Sequence, residues 1–201
     1  MLERAAPWAA RPALWAQRTR GSLARVQTAR LELRPIAEEH VDALADVDAQ
    51  PEVRAAIDPF REHLPDDPAD LRAYERRLVG RPGFLAAIER GTGALVGWFQ
   101  FEESDGRPGE RELGYRLHPD AWGQGYATEG AEALLCEAFA RRGIARVYAH
   151  SLLDNPGSIR VMEKIGMTYA GPWSYRGLPG AEYEALAPSG ATRPPSGTTR
   201  A

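Results

Sequence analysis

The chain has 201 residues, with 28 acidic and 25 basic side chains and a formal net charge of −3, a size that fits one domain with extensions and can bury a core. Residues 1–30 carry six Arg against Glu3 (+5), residues 187–201 carry Arg193 and Arg200 (+2), and residues 31–186 therefore sum to −10. So acidic a body argues against nucleic acid as a partner, a lone Cys136 excludes a disulfide framework or a Cys-based metal site, and no apolar run reaches the ~18 residues of a membrane span.

Residues 1–27 read as a basic extension. Pro7, Arg11, Pro12, Arg18 and Arg20 interrupt any continuous apolar core, so the stretch does not read as a secretory signal and a cytoplasmic location is expected. Leu31–Arg34 alternates and stops at Pro35, which predicts a short strand. Val41, Leu44 and Val47 recur at helical spacing within 37–48, and Pro51 opens a helical turn through Ile57. Pro68 stands like a first helical residue, with Leu71, Tyr74 and Leu78 on one face and Gly80 as the stop. Phe84–Glu89 and Ala94–Glu102 are strand-like runs joined by a turn at Gly91-Thr-Gly93. A second turn at 104–109 leads into a strand over Glu110–His118, and a Gly-rich loop follows at 119–126.

The next helix is the best marked in the chain. Ala127, Ala131, Leu134, Leu135 and Ala138 form its apolar stripe, Arg141 and Arg142 suit its C-terminal dipole, and Gly143 is its stop. Arg146–Ser151 is a strand. Asn155-Pro156 starts a short helix with Ile159, Met162 and Ile165 inward and Gly166 at its end. Two strands near 167–175 and 181–187 close the body. The last 15 residues have no large apolar side chain to offset ordering entropy, so 188–201 are expected to be a disordered tail on a domain spanning 28–187. This element order makes a mixed sheet with helices packed on it.

The chemistry concentrates in Glu112–Glu129, where a strand runs into a Gly-spaced loop that opens a helix. Backbone N–H groups at a helix start can converge on one anion, and Gly123 and Gly125 let a phosphate approach the backbone. Such a site needs no Lys or Arg. A Walker-type loop requires Gly-Lys-Ser/Thr, which is absent, and a Rossmann fingerprint would need Gly where Thr128 stands. A plain turn and a pyrophosphate cradle for a coenzyme A thioester remain.

Trp122-Gly-Gln-Gly-Tyr-Ala-Thr-Glu129 resembles the acyl-CoA loop of the GNAT N-acetyltransferases, particularly the RimJ/RimL-like branch. Thr28–Pro35 resembles the family's first strand, and Asp154–Met167 resembles its helix after strand five, both in family order and spacing. The resemblance implies a mixed, mostly antiparallel α/β (α+β) sheet of about six to seven strands with helices on both faces. It implies acetyl-CoA as co-substrate, no metal, and transfer to a primary amine, either a small molecule or a protein N-terminus, with no nucleic-acid or membrane partner. Oligomeric state stays open, a homodimer being common for such folds.

By the same resemblance, Trp122, Gly123, Gln124, Gly125, Tyr126, Ala127 and Thr128 would form the pyrophosphate loop. The Leu117 backbone would pair with the pantetheine arm and aim its N–H at the thioester carbonyl. Asn155 would contact that arm, although Asn before Pro is also an ordinary helix cap. Ser158 would stand near the departing sulfur. Many relatives place a Tyr acid where this chain has Met162, which cannot donate a proton. Glu112 is the preferred base for the acceptor amine, with Glu182 a weaker candidate and His118 assigned a structural or CoA-lining role. Tyr115, Trp98 and Tyr183 either line the acceptor pocket or pack in the core. Cys136 lies in the body of the long helix and is rejected as a nucleophile. The alternative reading is a CoA-binding module that transfers nothing.

Overall fold

The computed structural model describes residues 25–57, 64–103, 106–141 and 144–188. Residues 1–24, the tail from 189, residues 104–105 and the expected helix stop at Arg142 and Gly143 lie outside that set.

The elements follow the order read from the sequence: β1 (Val26–Gln27), β2 (Leu31–Pro35), α1 (Val41–Ala49), α2 (Pro51–Ile57), α3 (Pro68–Arg76), β3 (Phe84–Glu89), β4 (Leu95–Glu102), β5 (Glu110–Leu117), α4 (Tyr126–Arg141), β6 (Arg146–Leu152), α5 (Pro156–Lys164), β7 (Thr168–Tyr175) and β8 (Leu178–Leu186). They build one eight-stranded sheet in the order β1-β2-β3-β4-β5-β6-β8-β7. The strand beyond the expected six to seven is β1, a two-residue piece too short to show any alternation, paired antiparallel to β2. Every pairing is antiparallel except β5 with β6.

Helices cover both faces, as expected. Residues of β2 to β8 alternate between faces because successive side chains in a strand point opposite ways. On β3, Leu85 and Ala87 join the main core under α4 and α5, whereas Phe84 and Ala86 pack with Leu44 of α1 and Trp98 on the other side. Of the predicted α4 stripe, Ala131, Leu134, Leu135 and Ala138 are at 0% exposure, whereas Ala127 in the first turn is half-buried. Met162 of α5 and Ile165, which follows its last turn, are buried in the same core. Gly130 lets α4 seat closely on the sheet, since a Cβ there would stand 2.3 Å from the Phe99 ring. Asp67 caps α3 by accepting the amides of Ala69 and Asp70, with Pro68 next to it as read from the sequence. No helix among the described residues is long and apolar enough to cross a membrane.

Candidate active site

The parallel pair β5–β6 is joined only at Glu110↔Arg146, Arg111↔Val147 and Glu112↔Tyr148. Beyond that, β5 stays paired with β4 to Leu117 and β6 with β8 to Leu152. The sheet therefore parts between residues 113–117 and 149–152, and the edge backbone groups there face an opening that an extended ligand can line. An ion cluster ties the closed end. Arg146 donates to Glu184 (2.6 Å), Glu182 (2.6 Å) and Glu110 (2.5 Å), and Arg107 reaches Glu182 at 3.0 Å.

The Gly loop stands at the open end. The indole N–H of Trp122 donates to the Leu117 carbonyl at 2.8 Å and fastens the loop to the end of β5, while the Gln124 side chain donates to the Asp120 carbonyl. Gly123 and Gly125 have φ of 72° and 84°, a left-handed conformation that a Cβ penalises. The first α-helical bond is donated by Glu129 to Gly125 (3.0 Å), so the amides of Tyr126, Ala127 and Thr128 stand at the helix start with no preceding turn to accept them. Amides so placed at a helix start can converge on an anion.

The loop is also held from outside. Arg30 donates through Nη1 to the Gln124 carbonyl (2.9 Å) and through Nε to Glu129 (2.7 Å), and its guanidinium lies 4.4 Å over the Tyr126 ring. Glu129 further accepts the Arg30 amide (2.7 Å) and the Thr28 hydroxyl (2.5 Å). Burial pushes the Glu129 carboxyl up, but these hydrogen bonds and the Arg30 charge outweigh it and hold the group below its ordinary value. A cavity of about 440 Å³ beside the helix start is lined by Thr128, Glu129, Cys136 and Lys164. Cys136 lies eight residues along α4 from Thr128, about 12 Å at the helical rise, in the helix body as expected.

Two sets of side chains flank the opening on opposite faces. On the α4–α5 face, Tyr115 packs on Phe99 and its hydroxyl shares a hydrogen bond with Ser158. Burial pushes the Tyr115 hydroxyl up from its ordinary value, against the opposite pull of Ser158, so it keeps its proton at neutral pH. On the other face, Glu112 Oε1 lies 3.5 Å from His150 Nδ1, and His150 Nε2 lies 2.9 Å from Glu182 Oε2. Burial raises the Glu182 carboxyl, but hydrogen bonds from Arg107, Arg146 and His150 prevail and bring it down to about 2. A carboxylate so held is a poor base, which counts against Glu182 in that role.

The remaining residues resolve as follows. Asn155 caps α5, its Oδ1 accepting the Ser158 amide at 3.0 Å. His118 caps the short turn Pro119–Ala121, its Nδ1 accepting the Asp120 amide at 3.2 Å. Trp98 and Tyr183 are core residues, the Tyr183 hydroxyl donating to Glu163 at 3.5 Å, and Met162 is buried. Sequence reading missed Arg30 and His150. Arg30 meets Glu129 across 99 positions, and His150 meets Glu182 across 32, separations that leave no local signal. Among the described residues no group of three His, Cys, Asp or Glu could hold a metal ion.

Comparison with known proteins agrees with this geometry. Residues 30–168 match the family described as "Acetyltransferase (GNAT) domain". The FsC-acetyl coenzyme A-N(2)-transacetylase of Aspergillus fumigatus is 31% identical over 152 residues, which cover 72% of this chain and 65% of that protein, just under two thirds of its length. A Bacillus licheniformis protein named N-acetyltransferase p20 is 27% identical over 146 residues, 72% of this chain and 82% of its own. The crystal structure of a GNAT-family acetyltransferase from Bacillus anthracis superposes with a TM-score of 0.71 at 25% identity, covering 81% of this chain and 98% of that one. The chain belongs to the GNAT acetyltransferase family.

Proposed function

We propose that the chain transfers an acetyl group from acetyl-CoA to a primary amine by direct attack in a ternary complex. The observation that carries this reading is the parting of β5 from β6 beyond Glu112 and Tyr148, with the amide-lined loop at its open end. In this reading the amides of Gly123 to Thr128 bind the pyrophosphate, and the pantetheine arm lies along residues 113–117 with Asn155 beside it. The Leu117 amide donates to the thioester oxygen as negative charge develops there.

The amine nitrogen bonds to the thioester carbon and the carbon–sulfur bond breaks. Glu112 takes a proton from the amine. A free thiol has a pKa near ~8.5, so the departing sulfur benefits from the hydrogen bond that the Ser158–Tyr115 hydroxyl pair offers. Three motifs, Thr28–Pro35, Trp122–Glu129 and Asp154–Met167, favour the RimJ/RimL-like branch and hence a protein N-terminal amine or a small amine. The name of the Aspergillus fumigatus relative, an acetyl coenzyme A transacetylase acting at N(2), supports acetyl as the donor group and nitrogen as the acceptor.

The test is thiol release from acetyl-CoA across a panel of peptide N-termini and small amines, with acetylated products identified by mass spectrometry. Amine-stimulated release with a matching product supports the reading. Tight CoA binding with no amine-stimulated release would make the chain a binding module instead.

A further inference from the structure

Glu112 is half-exposed, but a carboxylate that accepts a proton in each turnover must also hand it on. Among the described residues, one side chain beside it suits that task. His150 sits behind Glu112 with its side chain at 16% exposure, Nδ1 toward Glu112 and Nε2 on Glu182. Its ring stacks on Trp173 at 4.4 Å and 12° and meets Tyr148 edge-on at 5.3 Å. Glu182 is itself fixed by Arg107 and Arg146. The ring is thus held by Trp173 on one face, by an edge contact with Tyr148 and by Glu182 at Nε2, with Nδ1 3.5 Å from Glu112.

We propose that His150, oriented by Glu182 and Trp173, is a positioning and relay residue that takes the amine's proton from Glu112. This deepens the transferase reading and rests on it. An ammonium acceptor loses two protons when it becomes an amide. One ends on sulfur as the CoA thiol, and the other leaves for solvent; nothing is oxidised or reduced. The second proton moves from nitrogen to Glu112, then to His150 Nδ1, and passes to water after the product departs. An ionised Glu182 keeps the Nε2–H tautomer, so Nδ1 presents its lone pair to Glu112. While protonated, the imidazolium stands between the carboxylates of Glu112 and Glu182, and the guanidiniums of Arg107 and Arg146 lie behind Glu182. Tyr148 is the remaining titratable group against the ring.

The experiment compares kcat/KM against pH for the wild type and His150→Gln, with an amine that the wild type acetylates. His150→Gln is expected to lower kcat/KM ~10–100-fold near neutrality, less than loss of a full general base, and to displace the acid limb of the profile. The KM for acetyl-CoA is expected to stay within about twofold, because the relay does not touch the pyrophosphate loop. Added imidazole should restore part of the rate to His150→Ala. A wild-type rate and limb in His150→Gln, or a loss equal at every pH and unrescued by imidazole, overturns the relay and leaves the transferase reading standing. Absence of turnover by the wild type with every amine overturns both. Should the His150 variants fail to fold, Glu182→Gln decides: a displaced acid limb supports the relay and an unchanged one overturns it.

Discussion

Ser158 and Tyr115 come from different elements, α5 and β5, and meet as a hydroxyl pair on one side of the opening. In the proposed mechanism each substitutes in part for the other as a donor to sulfur. Ser158→Ala or Tyr115→Phe alone is expected to lower kcat about tenfold, and the double variant by more than the product of the two, since each single variant keeps the other donor. Steady-state rates of the three variants with one amine check this. Glu182 gives a second residue-scale prediction. Its carboxyl stands at about 2 in the folded chain against an ordinary value of 4.5, so its contribution to stability is fully present above 4.5 and is lost as pH falls toward 2. The gap in melting temperature between wild type and Glu182→Gln should therefore be constant above that range and close as acid is added. A gap that widens in acid would contradict the assignment.

Elements explain why the loop holds its shape without a Lys. The start of α4 supplies the amides, and the Thr28–Arg30 corner between β1 and β2 supplies the brace through Glu129 and the Gln124 carbonyl. A planar guanidinium can serve both acceptors and still cover Tyr126, which an ammonium cannot do in the same geometry. Arg30→Ala is expected to weaken acetyl-CoA binding about tenfold, equivalent to ~1.4 kcal/mol, and Arg30→Lys to recover little of it. Calorimetric titration with CoA measures both. Helices and turns were legible because their signals are local. The 3.6-residue stripe of α4, Pro68 beside its Asp67 cap, and the Asn155-Pro156 start can each be read within a few positions. Helices on both faces of the sheet were implied by the family resemblance, whereas alternation marked only Leu31–Arg34. The strand β1 was not legible, because two residues carry no period, and neither were the Arg30–Glu129 brace or the His150–Glu182 contact, which exist only after distant strands have paired.

At the scale of the whole molecule, the −10 sum over residues 31–186 and the amide-based cradle describe one design. In the proposed reading backbone amides bind the phosphate and Arg30 only braces their loop, so the rest of the body is free to stay acidic and to attract a cationic acceptor. For a basic amine, KM should rise as salt is raised from low to physiological ionic strength, while a neutral-bodied amine of similar size should respond weakly. Equal salt responses would contradict long-range attraction. The sheet parts between β5 and β6 beyond Glu112 and Tyr148, the gap in which the proposed reading places donor and acceptor, with the ion cluster of Arg146 fixing its closed end. Cys136 sits in the body of α4 and has no place in this scheme. Initial rates measured while both acetyl-CoA and amine are varied test the central claim of direct transfer most sharply. Intersecting double-reciprocal lines, with full activity in Cys136→Ser, are the predicted result. Parallel lines, together with an acetylated chain detected by mass after acetyl-CoA alone, would contradict it.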